Sequence, residues 1–117
     1  MNVWKLSGFL AVIGMFSFVL KGAPPQAKGD TAHGKEVFAA SCEICHNADS
    51  TEDKIGPGMK GISKKGPHKT ADGTEHKTHD DAFLRKQIME GSSAMPPVGA
   101  QLSAKDMDDL MAYLHTL

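Results

Sequence analysis

Aromatic residues are scarce in this chain, with five Phe, one Trp and one Tyr among 117 residues. Several of these fall in the first twenty positions, so a stretch of one-domain length has little with which to build a large apolar core. Cysteine is scarcer still. Cys42 and Cys45 are the only two, which excludes a disulfide-rich scaffold and leaves a structural zinc site short of ligands at suitable spacing. Neither sign of charge dominates, since Lys and Arg total 13 and Asp and Glu 14. Without residues 1–21, which hold Lys5 and Lys21, 11 bases face 14 acids and the net charge is −3 with His neutral. Nucleic acid is therefore not an expected partner. No segment shows the alternation of a half-buried strand, and no internal repeat is found.

The N-terminus lacks a long hydrophobic span but has a short one. Lys5 precedes an uncharged apolar run over residues 6–20, fifteen residues long, below the 18 or more of a confident membrane span. A positive start before a run of this length is the layout of a secretory signal. Pro24 and Pro25 follow closely and no clean small-x-small cleavage site stands before them, so an uncleaved anchor with membrane association through residues 6–20 stays open beside the favoured cleaved signal. The expected organisation is a signal peptide or anchor over 1–21, a linker over 22–29 and one domain over 30–117. Export to the periplasm or another extracytoplasmic space follows from it, either soluble or anchored.

What the chain does have is Cys42-Glu43-Ile44-Cys45-His46. Two cysteines three apart followed at once by histidine form the attachment pattern of a c-type haem. On a helical turn residues i and i+3 share a face, so both thiols can reach vinyl groups of one porphyrin and bond it as thioethers. His46 lies four residues after the first cysteine, where its imidazole can ligate the iron from the same side. A thioredoxin-like Cys pair would need a βαβ context, and a plain disulfide would close a very small loop. Neither competes. A buried porphyrin would also supply much of the missing core, which makes folding and cofactor attachment coupled events.

Along the domain, Asp30 or Thr31 can cap a helix running towards Cys42. Gly34 and Phe38 share one face of it, and a mid-helix glycine points to close approach of another backbone. Residues 47–62, with Gly56-Pro57-Gly58 and Gly61, read as a loop. Residues 63–80 continue irregularly, carrying Lys64, Lys65 and Lys69 among His68, His76 and His79. Neutral imidazoles bind zinc, copper or nickel, so a second metal site is one reading. The favoured one is a solvated loop, because three histidines at irregular spacing define no coordination geometry. Asp80 and Asp81 open a second helix through Phe83, Leu84, Gln87 and Ile88, stopped at Gly91. In the last segment Ser103 and Asp106 form a capping box, and Met107, Leu110, Met111 and Leu114 make an i, i+3, i+4, i+7 stripe with Tyr113 beside it.

A haem iron held by His46 needs a sixth ligand or a reason to lack one. Met95 is the candidate, because Pro96 and Pro97 lack N–H donors and hold an extended loop able to fix a thioether over the iron. Met107 and Met111 sit on the apolar stripe and read as core fillers, whereas Met59 and Met89 are less easily set aside.

With these features in order, the chain resembles the class I monohaem cytochromes c of bacteria over about residues 30–117. The resemblance rests on Gly34 and Phe38 before the Cys42–His46 motif, on Gly56-Pro57-Gly58-Met59-Lys60-Gly61-Ile62, on Met95-Pro96-Pro97, and on Tyr113-Leu114 near the end. It implies an all-α cytochrome c fold of three principal helices and loops wrapped around one covalent haem. It further implies that Gly34 and Phe38 pack against Leu110, Tyr113 and Leu114, and that the Pro57 carbonyl accepts a hydrogen bond from the His46 ring. Residues 63–80 depart from the compact family pattern.

The expected function is one-electron transfer by a protein that is not an enzyme. Cys42 and Cys45 anchor haem c, His46 and Met95 hold the iron, and a monomer exchanges electrons with redox protein partners. If Met95 is no ligand, the open iron makes an enzyme or gas sensor the alternative; a haem subunit of a dehydrogenase or oxidase is another.

Overall fold

The computed structural model describes residues 29–69, 73, 75–76 and 78–117. The signal or anchor expected over 1–21 and the linker over 22–29, Gly29 apart, lie outside the described residues. Three helices carry the fold: α1 (Thr31–Ser41), α2 (Asp81–Glu90) and α3 (Ala104–Leu114). Two short 3-10 turns, Ile62–Lys64 and Val98–Gln101, lie in the long connections.

Each helix begins on a side-chain cap. Asp30 accepts from the N–H groups of Ala32 and His33 at 2.9 and 3.2 Å, Asp80 from that of Phe83 at 2.8 Å, and Ser103 from that of Asp106 at 3.1 Å, with Asp106 returning a carboxylate oxygen to the Ser103 N–H. These caps satisfy donors that a helix start leaves open. They stand where the acids and the Ser-x-x-Asp pattern place them. α2 ends at Gly91, whose φ of 69° is a conformation that glycine adopts without steric cost.

The core forms where α1 packs on α3. Val37 and Phe38 meet Met107, Leu110, Met111, Tyr113 and Leu114, and α2 adds Leu84 and Ile88. Leu110 is fully buried. A Cβ on Gly34 would lie 1.9 Å from the Asp109 carbonyl oxygen and 2.9 Å from the Tyr113 Cβ, so the two backbones touch there. Phe38 and Tyr113 meet edge to face, centroids 5.6 Å apart at 63°, a favoured aromatic geometry. Met107 and Met111 are buried in this cluster, which fits their reading as packing residues.

A polar latch fastens the same pair of helices. The buried Asp109 carboxylate accepts from the Asp30 N–H at 2.7 Å, from the His33 ring at 2.7 Å and from the Lys105 ammonium. Arg85 reaches Asp108 at 2.7 Å and joins α2 to α3.

The expectation that residues 63–80 form a solvated loop needs correction. β1 (His68–Lys69) pairs antiparallel with β2 (Glu75–His76), His68 opposite His76 and Lys69 opposite Glu75. His79 is 6% exposed, and its ring stacks on that of His68. Strands of two residues are too short to show a period of two, so the sequence pattern could not reveal them.

Candidate functional site

The site starts where α1 stops. Cys42 leaves the helical region (φ −120°, ψ −32°) while its N–H still bonds to the Phe38 carbonyl. The N–H groups of Cys45 and His46 both reach back to the Cys42 carbonyl at 3.0 Å. Residues 42–46 thus form a hydrogen-bonded turn just past the helix, and the nesting of two donors on one carbonyl keeps Cys42, Cys45 and His46 together. Ile44, between them, is 73% exposed, so it takes no part in the core that Cys42 packs against.

Both cysteines are free thiols. Burial, with the neighbouring Cys45 adding to it, pushes the Cys42 thiol up to about 11. Redox-active Cys pairs lower a thiol's pKa to make the thiolate available. At Cys42 burial acts in the opposite direction.

His46 is held from the following loop. Its Nδ1 lies 2.8 Å from the Pro57 carbonyl oxygen; a carbonyl only accepts, so Nδ1 carries the proton and Nε2 keeps its lone pair. Gly56 makes this approach feasible. Its N–H donates to the Cys45 carbonyl at 2.7 Å, and a Cβ there would come within 2.4 Å of the His46 ring carbon Cε1. The rest of the loop is stitched down by Met59 N–H to the Asn47 carbonyl at 2.8 Å and by the Lys54 ammonium to the Glu43 carbonyl at 2.7 Å.

Met95 comes from the far side of the sequence, in the connection after α2. Ser92 binds it twice, its hydroxyl accepting the Met95 N–H at 3.2 Å and its N–H donating to the Met95 carbonyl at 2.8 Å. A Cβ on Gly91 would lie 2.4 Å from that carbonyl oxygen, so glycine is what lets the loop fold back on the helix end. The half-buried Met95 packs against the same core cluster as Cys42, and its Sδ lies 3.8 Å from the Gln87 amide nitrogen. Reading the sequence did not find that neighbour. The available signal was a polar Gln87 set in the apolar spacing of α2.

The donor set fits a haem of the c type: two free thiols three residues apart, an imidazole with Nε2 available, and a thioether on a braced loop. Comparison with known proteins agrees. The sequence model of the family "Cytochrome c" matches residues 31–117. Cytochrome c-554(547) of Halothiobacillus neapolitanus is 36% identical over 91 residues, covering 76% of this chain and 98% of that protein. Cytochrome c6 of a Synechocystis strain is 34% identical over 85 residues, 73% of this chain and 63% of that protein. Among solved structures, cytochrome cH from Methylobacterium extorquens superposes with a TM-score of 0.54 at 29% identity, covering 76% of this chain and all of that one. With its three helices, its attachment turn and these relatives, the chain belongs to the class I monohaem cytochrome c family, an all-α electron carrier with one covalently attached haem c.

Proposed function

We propose that the protein is a one-electron carrier of an extracytoplasmic chain, with the haem bonded through Cys42 and Cys45 and its iron held by His46 and Met95. The observation that carries this reading is the Pro57 carbonyl 2.8 Å from His46 Nδ1, which fixes the ring and frees Nε2 on the very turn that bears both thiols. The bound haem supplies the redox centre, passing between ferric and ferrous states. The chain's residues have to keep that centre rigid. Nδ1–H donation to Pro57 raises the basicity of the ligating nitrogen and sets its orientation. The doubly bonded Ser92–Met95 turn holds the Met95 backbone, and Met/His ligation raises the potential. A haem iron held by His46 and Met95, both braced by their loops, would rearrange little on electron transfer, as a carrier requires.

Extracytoplasmic placement is supported by the charged start and apolar run of residues 1–21 and by the attachment motif. The domain proper is proposed to begin near residue 30, and docking is proposed to be with protein redox partners rather than nucleic acid.

A carbon monoxide titration of the reduced holoprotein tests the reading. The expected outcome is an unchanged visible spectrum at modest carbon monoxide concentration. Ready binding would show an open iron and turn the function towards an enzyme or gas sensor.

A further inference from the structure

Away from the attachment turn, three histidines gather in a place the electron-carrier reading does not use. His68 and His76 are partners across the β1–β2 pair, so their side chains leave the same face. His79, from the residue before the α2 cap, brings a third ring against them, its centroid 4.8 Å from that of His68 and 5.6 Å from that of His76. Phe83 closes the apolar side, edge-on to His76 and His79 at 4.8 and 4.9 Å.

The hydrogen bonding of these rings is unusual. His79 is 6% exposed, and its Nδ1 is buried with no partner among the described residues; the same holds for His76 Nδ1. Buried polar atoms are nearly always paired, and each exception calls for an explanation such as an absent ion. The third ring is set up to complement them. His68 Nδ1 lies 3.1 Å from the Gly66 carbonyl oxygen, which makes that nitrogen the donor and leaves Nε2 with its lone pair. The neutral form of each imidazole is the ligating form.

One ring nitrogen from each histidine lies within 4.8 Å of the other two. We propose that His68, His76 and His79 form a second metal site, separate from the haem, that takes one borderline divalent transition ion: zinc, copper or nickel. Imidazole donors select this class over calcium or magnesium, which require oxygen ligands. At metal–nitrogen distances of about 2.0–2.1 Å, tetrahedral ligands stand roughly 3.4 Å apart, so the nitrogens draw together by up to about 1.4 Å from their 4.8 Å limit. His68 and His79, now stacked at 18°, turn so that both lone pairs meet the ion. Three protein ligands leave the fourth position to water or an outside ligand. The ion would tie the β1–β2 pair to the start of α2, where neither buried nitrogen now has a partner among the described residues.

The test is calorimetric titration of zinc into the ferric holoprotein, with its haem spectrum as the check on folding. One ion per chain is expected. His79→Ala and His68→Gln should each weaken binding at least about tenfold, and His115→Gln, at a surface histidine elsewhere, should not. His68 is half-exposed, so its variant removes a ligand without opening the core if His79→Ala fails to fold. No one-to-one binding in the parent, or equal affinity in the parent and His68→Gln, overturns the proposal.

Discussion

Asp109 accepts the Asp30 N–H at 2.7 Å, which places a carboxylate of α3 at the positive end of α1. The helix dipole and the unpaired N–H groups of that end both favour a negative charge. Lys105 first, then the Asp30 N–H and the His33 ring, hold the Asp109 carboxyl well below the usual carboxylate range. A group with a depressed folded pKa stabilises the fold above its unfolded value, about 3.9 for Asp, and that stability is lost as pH falls towards the folded value. Asp109→Asn is therefore expected to lower the denaturant midpoint at pH 7. The gap from the parent should narrow steadily below about pH 4. A gap independent of pH would mean that the latch acts by shape and not by charge.

The α1–α3 contact makes a second, steric prediction. Any side chain at Gly34 enters space held by the Asp109 carbonyl, which is backbone and cannot swing aside. Overpacking of this kind costs about 1–3 kcal/mol, and Gly34→Val should reach at least that range. Phe38 is 2% exposed, so Phe38→Ala should cost about 3–5 kcal/mol. Denaturant unfolding of the holoprotein measures both. Equal midpoints in parent and variants would refute the packing.

How much of this was legible before the structure depends on the range of each signal. Helix starts were readable because Asp30, Asp80 and Ser103 act on N–H groups two or three residues away. The stripe from Met107 to Leu114 was readable because burial imposes a period on consecutive residues. The pattern of Cys42, Cys45 and His46 was readable because it lies within five consecutive residues, and the proposed haem attachment rests on it together with the features downstream. Asp109 was missed, since its partners Asp30 and His33 lie more than seventy positions away and an acid on a helix is ordinarily solvated. The histidine cluster was misread for a related reason: a two-residue hairpin brings His68 and His76 together by register, and register leaves no trace in so short a strand.

Lysines 60, 64 and 65 are exposed and make a basic stretch on a chain that is otherwise slightly acidic. Lys69, which the sequence groups with them, is paired with Glu75 at 3.2 Å and adds less free charge. Such a patch acts mainly on association rate through steering. Replacing the three lysines with glutamine is expected to slow electron transfer to an acidic partner by up to about tenfold at low salt. The difference should shrink near 0.15 M salt, where the screening length is about 8 Å. Stopped-flow rates across a salt series decide it, and parallel salt dependences would dismiss a docking role.

Met95 decides between carrier and catalyst. Its loop is held by Ser92 on both backbone groups and by the fold-back at Gly91, none of which involves the thioether. Truncating the side chain should therefore leave the loop and the fold in place. What changes is the iron's sixth position: Met95→Ala should open it to carbon monoxide in the reduced protein and lower the potential, because the thioether favours the ferrous state. The weak near-infrared band of a ferric haem–thioether pair should disappear at the same time. Gln87→Ala provides the contrast, since Gln87 touches Met95 Sδ at 3.8 Å without being a ligand candidate; it should shift the potential less and leave the iron closed. If Met95→Ala keeps the parent's spectrum and potential, another group holds the sixth position. Met59, half-buried against the same core as Met95, is then the residue to replace.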